Sequence, residues 1–280
     1  QFDVLMIVHQ LSDSHEMERL VHRVKRELPT IFIIGVPTQP FGILKEKLGA
    51  DPKQAAIFKS YMDACDVFLT VVKSTTDWYQ QQTKTPVVYM LQPYPYHYAK
   101  QFFKIQTDKQ KTILLAGVTQ RPDIKKGQLL AKELQKSFPD YELVIPKVPE
   151  YEYDENNLKG SRYRLLPFEQ WHEHLKTLAE VTLVINTDYT QTRGRVQTDC
   201  AAVGTPSLGA DSDGQADLFP ELTSTPITNI KTILEQGKRL LSDTAYYGKL
   251  VSDAREKLKK YDYEESAARI VALVKTYRHV

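Results

Sequence analysis

Short apolar, β-branched runs alternate along this chain with segments whose apolar residues recur at helical spacing. Residues 4–8 are a run of the length expected for a buried strand. Residues 13–28 follow, with Met17, Leu20, Val21, Val24 and Leu28 on one helical face and Asp13 and Glu16 spaced as a capping box. The pattern predicts a strand at 31–34, a Pro- and Gly-rich loop at 37–42 and a helix near 52–64. A strand at 67–72, a short helix near 75–82 and a strand at 87–90 come next. Four strands alternating with helices predict a parallel, doubly wound sheet, because parallel neighbours need crossover connections.

Residues 92–98, Gln-Pro-Tyr-Pro-Tyr-His-Tyr, interrupt the alternation, and a polar stretch at 106–111 leads into a new strand at 112–116. The domain boundary is therefore expected near residue 105. The second series reads as a helix over 126–138, a strand over 142–145, a polar stretch over 149–162, a helix over 168–178 and a strand over 181–185. A turn, a helix over 195–203, the short segment 207–209, a loop through Asp217 and three helical segments complete it. The prediction is two Rossmann-like α/β domains, 1–105 and 106–262, with the helix over 263–280 free to pack back on the first. Ligands of open parallel sheets bind at the carboxyl ends of the strands, so two such sheets facing each other would enclose a central cleft.

Composition narrows the picture modestly. The 280 residues suit two domains of ordinary size, 41% apolar and 26% charged residues are typical of soluble globular chains, and a net charge of +2 is too small to argue for nucleic acid or a membrane. No apolar run approaches the length of a membrane span, and a cytoplasmic protein is expected. Cys65 and Cys200 have neither metal-ligand spacing nor a disulfide framework, and structural burial accounts for them. No His/Cys ligand pair of suitable spacing suggests a metal, and no cofactor is expected.

The most informative stretch is Gln191 to Pro206. A strand enters a polar turn that runs through Thr192, Arg193 and Gly194 to Arg195, a helix follows, and Gly204 with Pro206 stops it. Free N–H groups and the dipole at such a helix start can hold a phosphate, with Arg193 and Arg195 adding charge. Asp199, one turn in, is positioned for ribose hydroxyls. The alternative is an acidic residue that only complements the helix dipole.

Several pieces, in order, resemble the donor-binding domain of the GT-B glycosyltransferases, most closely the family-4 retaining type, over roughly residues 85–280. Residues 86–93 resemble the last N-domain strand and its exit. Residues 113–117, ending in Gly117, with Lys125-Lys126-Gly127 resemble the glycine turn and Lys-Gly pair that open the second domain. Residues 166–171 through 181–186 resemble the helix and strand before the donor motif. That motif carries two glutamates eight positions apart, a glycine three after the first, and Gly-x-Pro; Gln191, Gly194, Asp199, Gly204 and Pro206 hold those places.

The resemblance implies a nucleotide diphosphate sugar as donor, with Asp199 on the ribose, Lys126 on the diphosphate and Gln191 as an uncharged hydrogen-bonder to sugar or phosphate. Val118 stands where the family usually has an arginine, leaving Arg121, Arg193 or Arg195 to replace it. His9, at a strand's carboxyl end, is the candidate acceptor-positioning group or general base. His15 and His97 are weaker candidates, and the tyrosines around His97 read as linker packing or a sugar platform. The acceptor is open, nucleic acid included. A non-catalytic binding or assembly subunit, a nucleotide-sugar epimerase and a two-domain small-molecule binder are the alternatives.

Overall fold

The computed structural model describes residues 3–116, 124–147, 155–191, 195–212, 214–224 and 230–278. The first series is β1 (Val4–His9), α1 (Ser14–Glu27), β2 (Phe32–Pro37), α2 (Phe41–Ala50), α3 (Pro52–Ala64), β3 (Val67–Thr70), α4 (Thr76–Gln82) and β4 (Val87–Tyr89). After a single helical turn, α5 (Tyr96–Ala99), the second runs β5 (Gln110–Ala116), α6 (Ile124–Ser137), β6 (Glu142–Pro146), α7 (Glu155–Leu158), β7 (Tyr163–Leu166), α8 (Trp171–Glu180), β8 (Val181–Asn186), α9 (Val196–Val203) and β9 (Ser207–Gly209). Helices α10 (Gln215–Leu218), α11 (Ile230–Ser242), α12 (Thr244–Leu258) and α13 (Tyr263–Tyr277) follow.

Contacts divide the chain into two units. One takes the described residues of Gln1–Pro93 and Tyr263–Val280 together with Gln191; the other takes those of Tyr94–Thr190 and Gly194–Asp262. Residues 94–105 thus cluster with the second unit. Tyr94 explains this, since its N–H donates to Tyr261 O (2.7 Å) and its hydroxyl reaches Asp199.

In the first unit all pairings are parallel and the strands lie in chain order, β1-β2-β3-β4. Right-handed crossovers that always step the same way put every connecting helix on one face. Val21, Leu44, Phe58, Tyr61, Met62 and Tyr79 of those helices bury Ile7, Ile33 and Phe68 of the strands there. The opposite face, Phe32, Ile34, Val36, Val67 and Leu69, is covered by Ile270, Leu273, Val274 and Tyr277 of α13. Helix α3 starts as its sequence suggests, with Asp51 accepting from Lys53 N–H and Gln54 N–H and Pro52 in the first turn. The capping box predicted at Asp13 does not form, because Leu11–Asp13 is wound into a 3₁₀ turn that runs straight into α1.

In the second unit the sheet order is β7-β6-β5-β8-β9, again all parallel. The chain leaves β5 first towards β6 and β7, then returns to lay β8 on its other side. Strand β7 and helix α2 were not predicted. The first presents Tyr163, Arg164 and Leu165 largely to solvent at a sheet edge, and the second hides behind Pro40 and Gly42. Among the described residues no helix is long and apolar enough to cross a membrane.

Candidate functional site

A sheet whose strand order reverses opens a crevice at the carboxyl ends of the two strands flanking the reversal. In the second unit those strands are β5 and β8, joined by the pairs Leu115↔Ile185 and Ala116↔Asn186. Gly117 and Arg121, in the connection from β5, lie outside the described residues.

Beyond β8 the chain forms a turn that is polar yet buried: Asn186, Thr187, Asp188 and Thr190 are each less than one-tenth exposed. Asp188 N–H donates to Asn186 Oδ1 (3.2 Å), while Thr190 donates to Asp188 Oδ1 from its N–H (2.8 Å) and its hydroxyl (2.6 Å). Two glycines let other elements close on this turn. A Cβ on Gly127 would lie 2.9 Å from Thr187 Oγ1, so the first turn of α6 is pressed against the end of β8. At Gly209, with φ 151°, a Cβ would lie 1.7 Å from Asn186 O, and no other residue fits. Lys126 is half-buried and precedes that contact in α6.

Helix α9 begins beside the same turn, with Arg195 as its N-cap residue. Thr192, Arg193 and Gly194 lie outside the described residues. Arg195 is exposed and its guanidinium stands over the Trp171 ring, 5.3 Å from the centroid. Asp199 occupies the first turn, as expected, but its carboxylate is 3% exposed and already engaged. Tyr94 donates its hydroxyl to Oδ1 at 2.7 Å, and Trp171 Nε1–H lies 3.2 Å from both oxygens. Burial pushes the Asp199 pKa up to about 6, against the opposing pull of those two donors and of Arg195. The carboxylate is thus enclosed rather than open, because two residues distant in sequence, Tyr94 and Trp171, close around it. Gln197, also in the first turn, is 1% exposed with neither amide atom paired, an unsatisfied group that the sequence pattern gave no reason to single out.

Gln191 belongs to the first unit. Its side-chain amide donates to Ser74 Oγ (2.6 Å), and its carbonyl accepts from Phe41 N–H (3.1 Å). Its φ of 52° is the only positive value among the described non-glycine residues, a strained backbone of the kind that clusters at functional sites.

His9 is corrected more sharply. Its ring is fully buried, 4.8 Å from both the Phe58 and Tyr61 centroids, and both ring nitrogens lack hydrogen-bond partners. Burial lowers its pKa to about 4. The alternation of β1 turns His9 to the same packed face as Ile7, so the imidazole is a core residue and does not line a cleft. Among the tyrosines near His97, Tyr94 and Tyr96 are buried, while Tyr98 is 43% exposed and lies against Trp171, ring centroids 5.6 Å apart. His97 itself is 3.5 Å from Asp262, and His15 is exposed. Among the described residues no cluster of His, Cys, Asp and Glu could hold a metal ion.

No family model matches the chain, and no curated protein matches it. Solved structures do. A sucrose-phosphate synthase from Thermosynechococcus elongatus is similar over 98% of this chain and 73% of its own, with 15% identity and a TM-score of 0.73. A UDP-forming trehalose-phosphate synthase from Burkholderia xenovorans is similar over 98% of this chain and 74% of its own, at 14% identity and a TM-score of 0.71. S. aureus TarM, in a complex containing UDP, matches 96% of this chain and 55% of its own, at 13% identity and a TM-score of 0.73. The fold is that of the GT-B glycosyltransferases, as the residue pattern implied.

Proposed function

We propose that this chain is a glycosyltransferase that binds a nucleotide diphosphate sugar at the carboxyl ends of β5 and β8 and transfers the sugar to an acceptor with retention of configuration. The observation that carries the reading is the strand-order reversal at β5 and β8, closed on one side by Lys126-Gly127 and on the other by the start of α9. A diphosphate there would meet the Lys126 ammonium and the free N–H groups of α9, and both stabilise the charge that grows on the leaving group as the anomeric C–O bond breaks. Charge stabilisation of this kind needs no metal ion. UDP is the first nucleotide to try, because one of the similar structures is of a UDP-forming enzyme and another is of a complex containing UDP.

Titration calorimetry with UDP and UDP-sugars tests the donor site. Binding to wild type should weaken at least tenfold in Lys126→Ala, and affinity unchanged by that substitution for every nucleotide diphosphate that binds would refute the assignment.

A second reading, a non-catalytic relative that binds a sugar nucleotide without transfer, has its own support. Asp199 is held by Tyr94 and Trp171, Gln191 by Ser74, and His9 is sealed in a core, so each of these candidates for chemistry is engaged or enclosed. Release of UDP from a bound UDP-sugar, followed with and without candidate acceptors, separates the two readings.

A further inference from the structure

The amino-terminal ends of the strands in the C-terminal unit carry a feature that the donor site does not use. A cavity of about 400 Å³ lies between α12 and the segment leading into β5, a volume in the range of small-molecule sites. Phe103 and Ile105 form one wall, and Tyr247 and Val251 of α12 form the other. Ile105 is 55% exposed, so a large apolar side chain faces water at the rim.

Glycines make the space. Gly248 sits inside α12, where glycine weakens a helix, and a Cβ there would meet nothing within 4 Å. Gly204, in the left-handed conformation after α9, is held against Phe103 and Lys104 O so tightly that no side chain can be added. The floor of the cavity is therefore fixed while its α12 wall is open.

Two cations border it. Lys104 is neutralised by Glu180. Arg255 stacks its guanidinium over Phe103, 3.7 Å from the centroid, and has no carboxylate partner among the described residues. An apolar chamber with one unpaired guanidinium at its edge is complementary to a small molecule with an apolar body and a single anionic group.

We propose that this cavity binds a small amphipathic carboxylate, its aliphatic or aromatic body between Phe103 and α12 and its carboxylate on Arg255. The inference is independent of the donor site, and its test involves no nucleotide. Calorimetry with octanoate and 3-phenylpropionate should show saturable one-to-one binding to wild type, with octanol bound at least fivefold more weakly than octanoate. Gly248→Leu fills the chamber from a helical position with free space and should weaken binding at least tenfold while leaving the melting temperature equal or higher. Arg255→Gln should weaken the acids tenfold and bring octanoate to the affinity of octanol. Absence of saturable binding by either acid, affinity unchanged in Gly248→Leu, or octanol binding as well as octanoate to wild type would each overturn the proposal.

Discussion

In the N-terminal unit the strands cross the sheet in chain order, whereas in the C-terminal unit the chain starts in the middle with β5 and leaves it in both directions. Both sheets are built from parallel ladders, four strands in one and five in the other, and the difference that matters is their order. A sheet laid down in one direction has no reversal and hence no crevice between diverging loops, and its carboxyl-end polar residue, His9, is packed into a core. A sheet that reverses keeps a buried polar turn, residues 186–190, where β5 and β8 part. One order yields a scaffold face that needs a separate helix to cover it; the other yields the kind of reversal beside which open parallel sheets bind ligands.

The largest break in that comparison should come from removing α13. A chain ending at Asp262 should lose the cooperative unfolding of the N-terminal unit and its amide protection in β2 and β3, while the C-terminal unit keeps its own transition. Scanning calorimetry and hydrogen exchange read both. Leu273→Asp, which puts a charge against the same sheet face, should cost about 2–4 kcal/mol.

Next in size is the Asp199 cluster. Tyr94→Phe leaves a buried carboxylate with one donor fewer and should cost about 1–3 kcal/mol in the C-terminal unit, measured by denaturant titration.

The pH responses of the units should then run in opposite directions. Asp199 has a folded-state pKa of about 6, above the ordinary carboxyl value, so its contribution to stability is present at low pH and lost as pH rises from about 4 to about 6. His9 has a folded-state pKa of about 4, below the ordinary imidazole value near 6.5, so stability is lost as pH falls through that interval. Each effect is bounded by about 1.4 kcal/mol per pH unit. Asp199→Asn should flatten the first and His9→Phe the second, as followed by melts from pH 4 to 7. His9→Phe should also leave any sugar transfer intact, and a hundredfold loss of turnover would return His9 to the reaction.

The smallest effect expected is Gly127→Ala. Its methyl group forces Thr187 or α6 to give by a few tenths of an ångström, which should cost about 1 kcal/mol and weaken UDP binding severalfold. An unchanged affinity would mean that the approach of α6 to β8 serves packing alone.

Much of the architecture was legible because apolar periodicity reports burial directly. Helix α3 lies on its predicted residues, and the boundaries of β8 and α9 moved by a single residue. What the pattern could not carry was partnership across long sequence distances. Asp199 reads as an available carboxylate until Tyr94, 105 residues away, and Trp171, 28 away, are brought to it by the fold. His9 reads as a strand-end functional group until the parity of β1 is fixed against Phe58 and Tyr61. The strain at Gln191 has no signature, since glutamine is not a residue that announces a left-handed turn.

The cover that α13 provides also sets an order of events during synthesis. Strands β1 to β4 leave the ribosome before any of the C-terminal unit, and α13 leaves after all of it. Until then Phe32, Ile34, Val36, Val67 and Leu69 have no permanent neighbour, and a nascent chain with such a face exposed is prone to aggregate or to engage a chaperone. The N-terminal unit is begun before the C-terminal unit and finished after it, and a ribosome stalled within α12 should display an N-terminal unit far more susceptible to protease than one whose α13 has emerged.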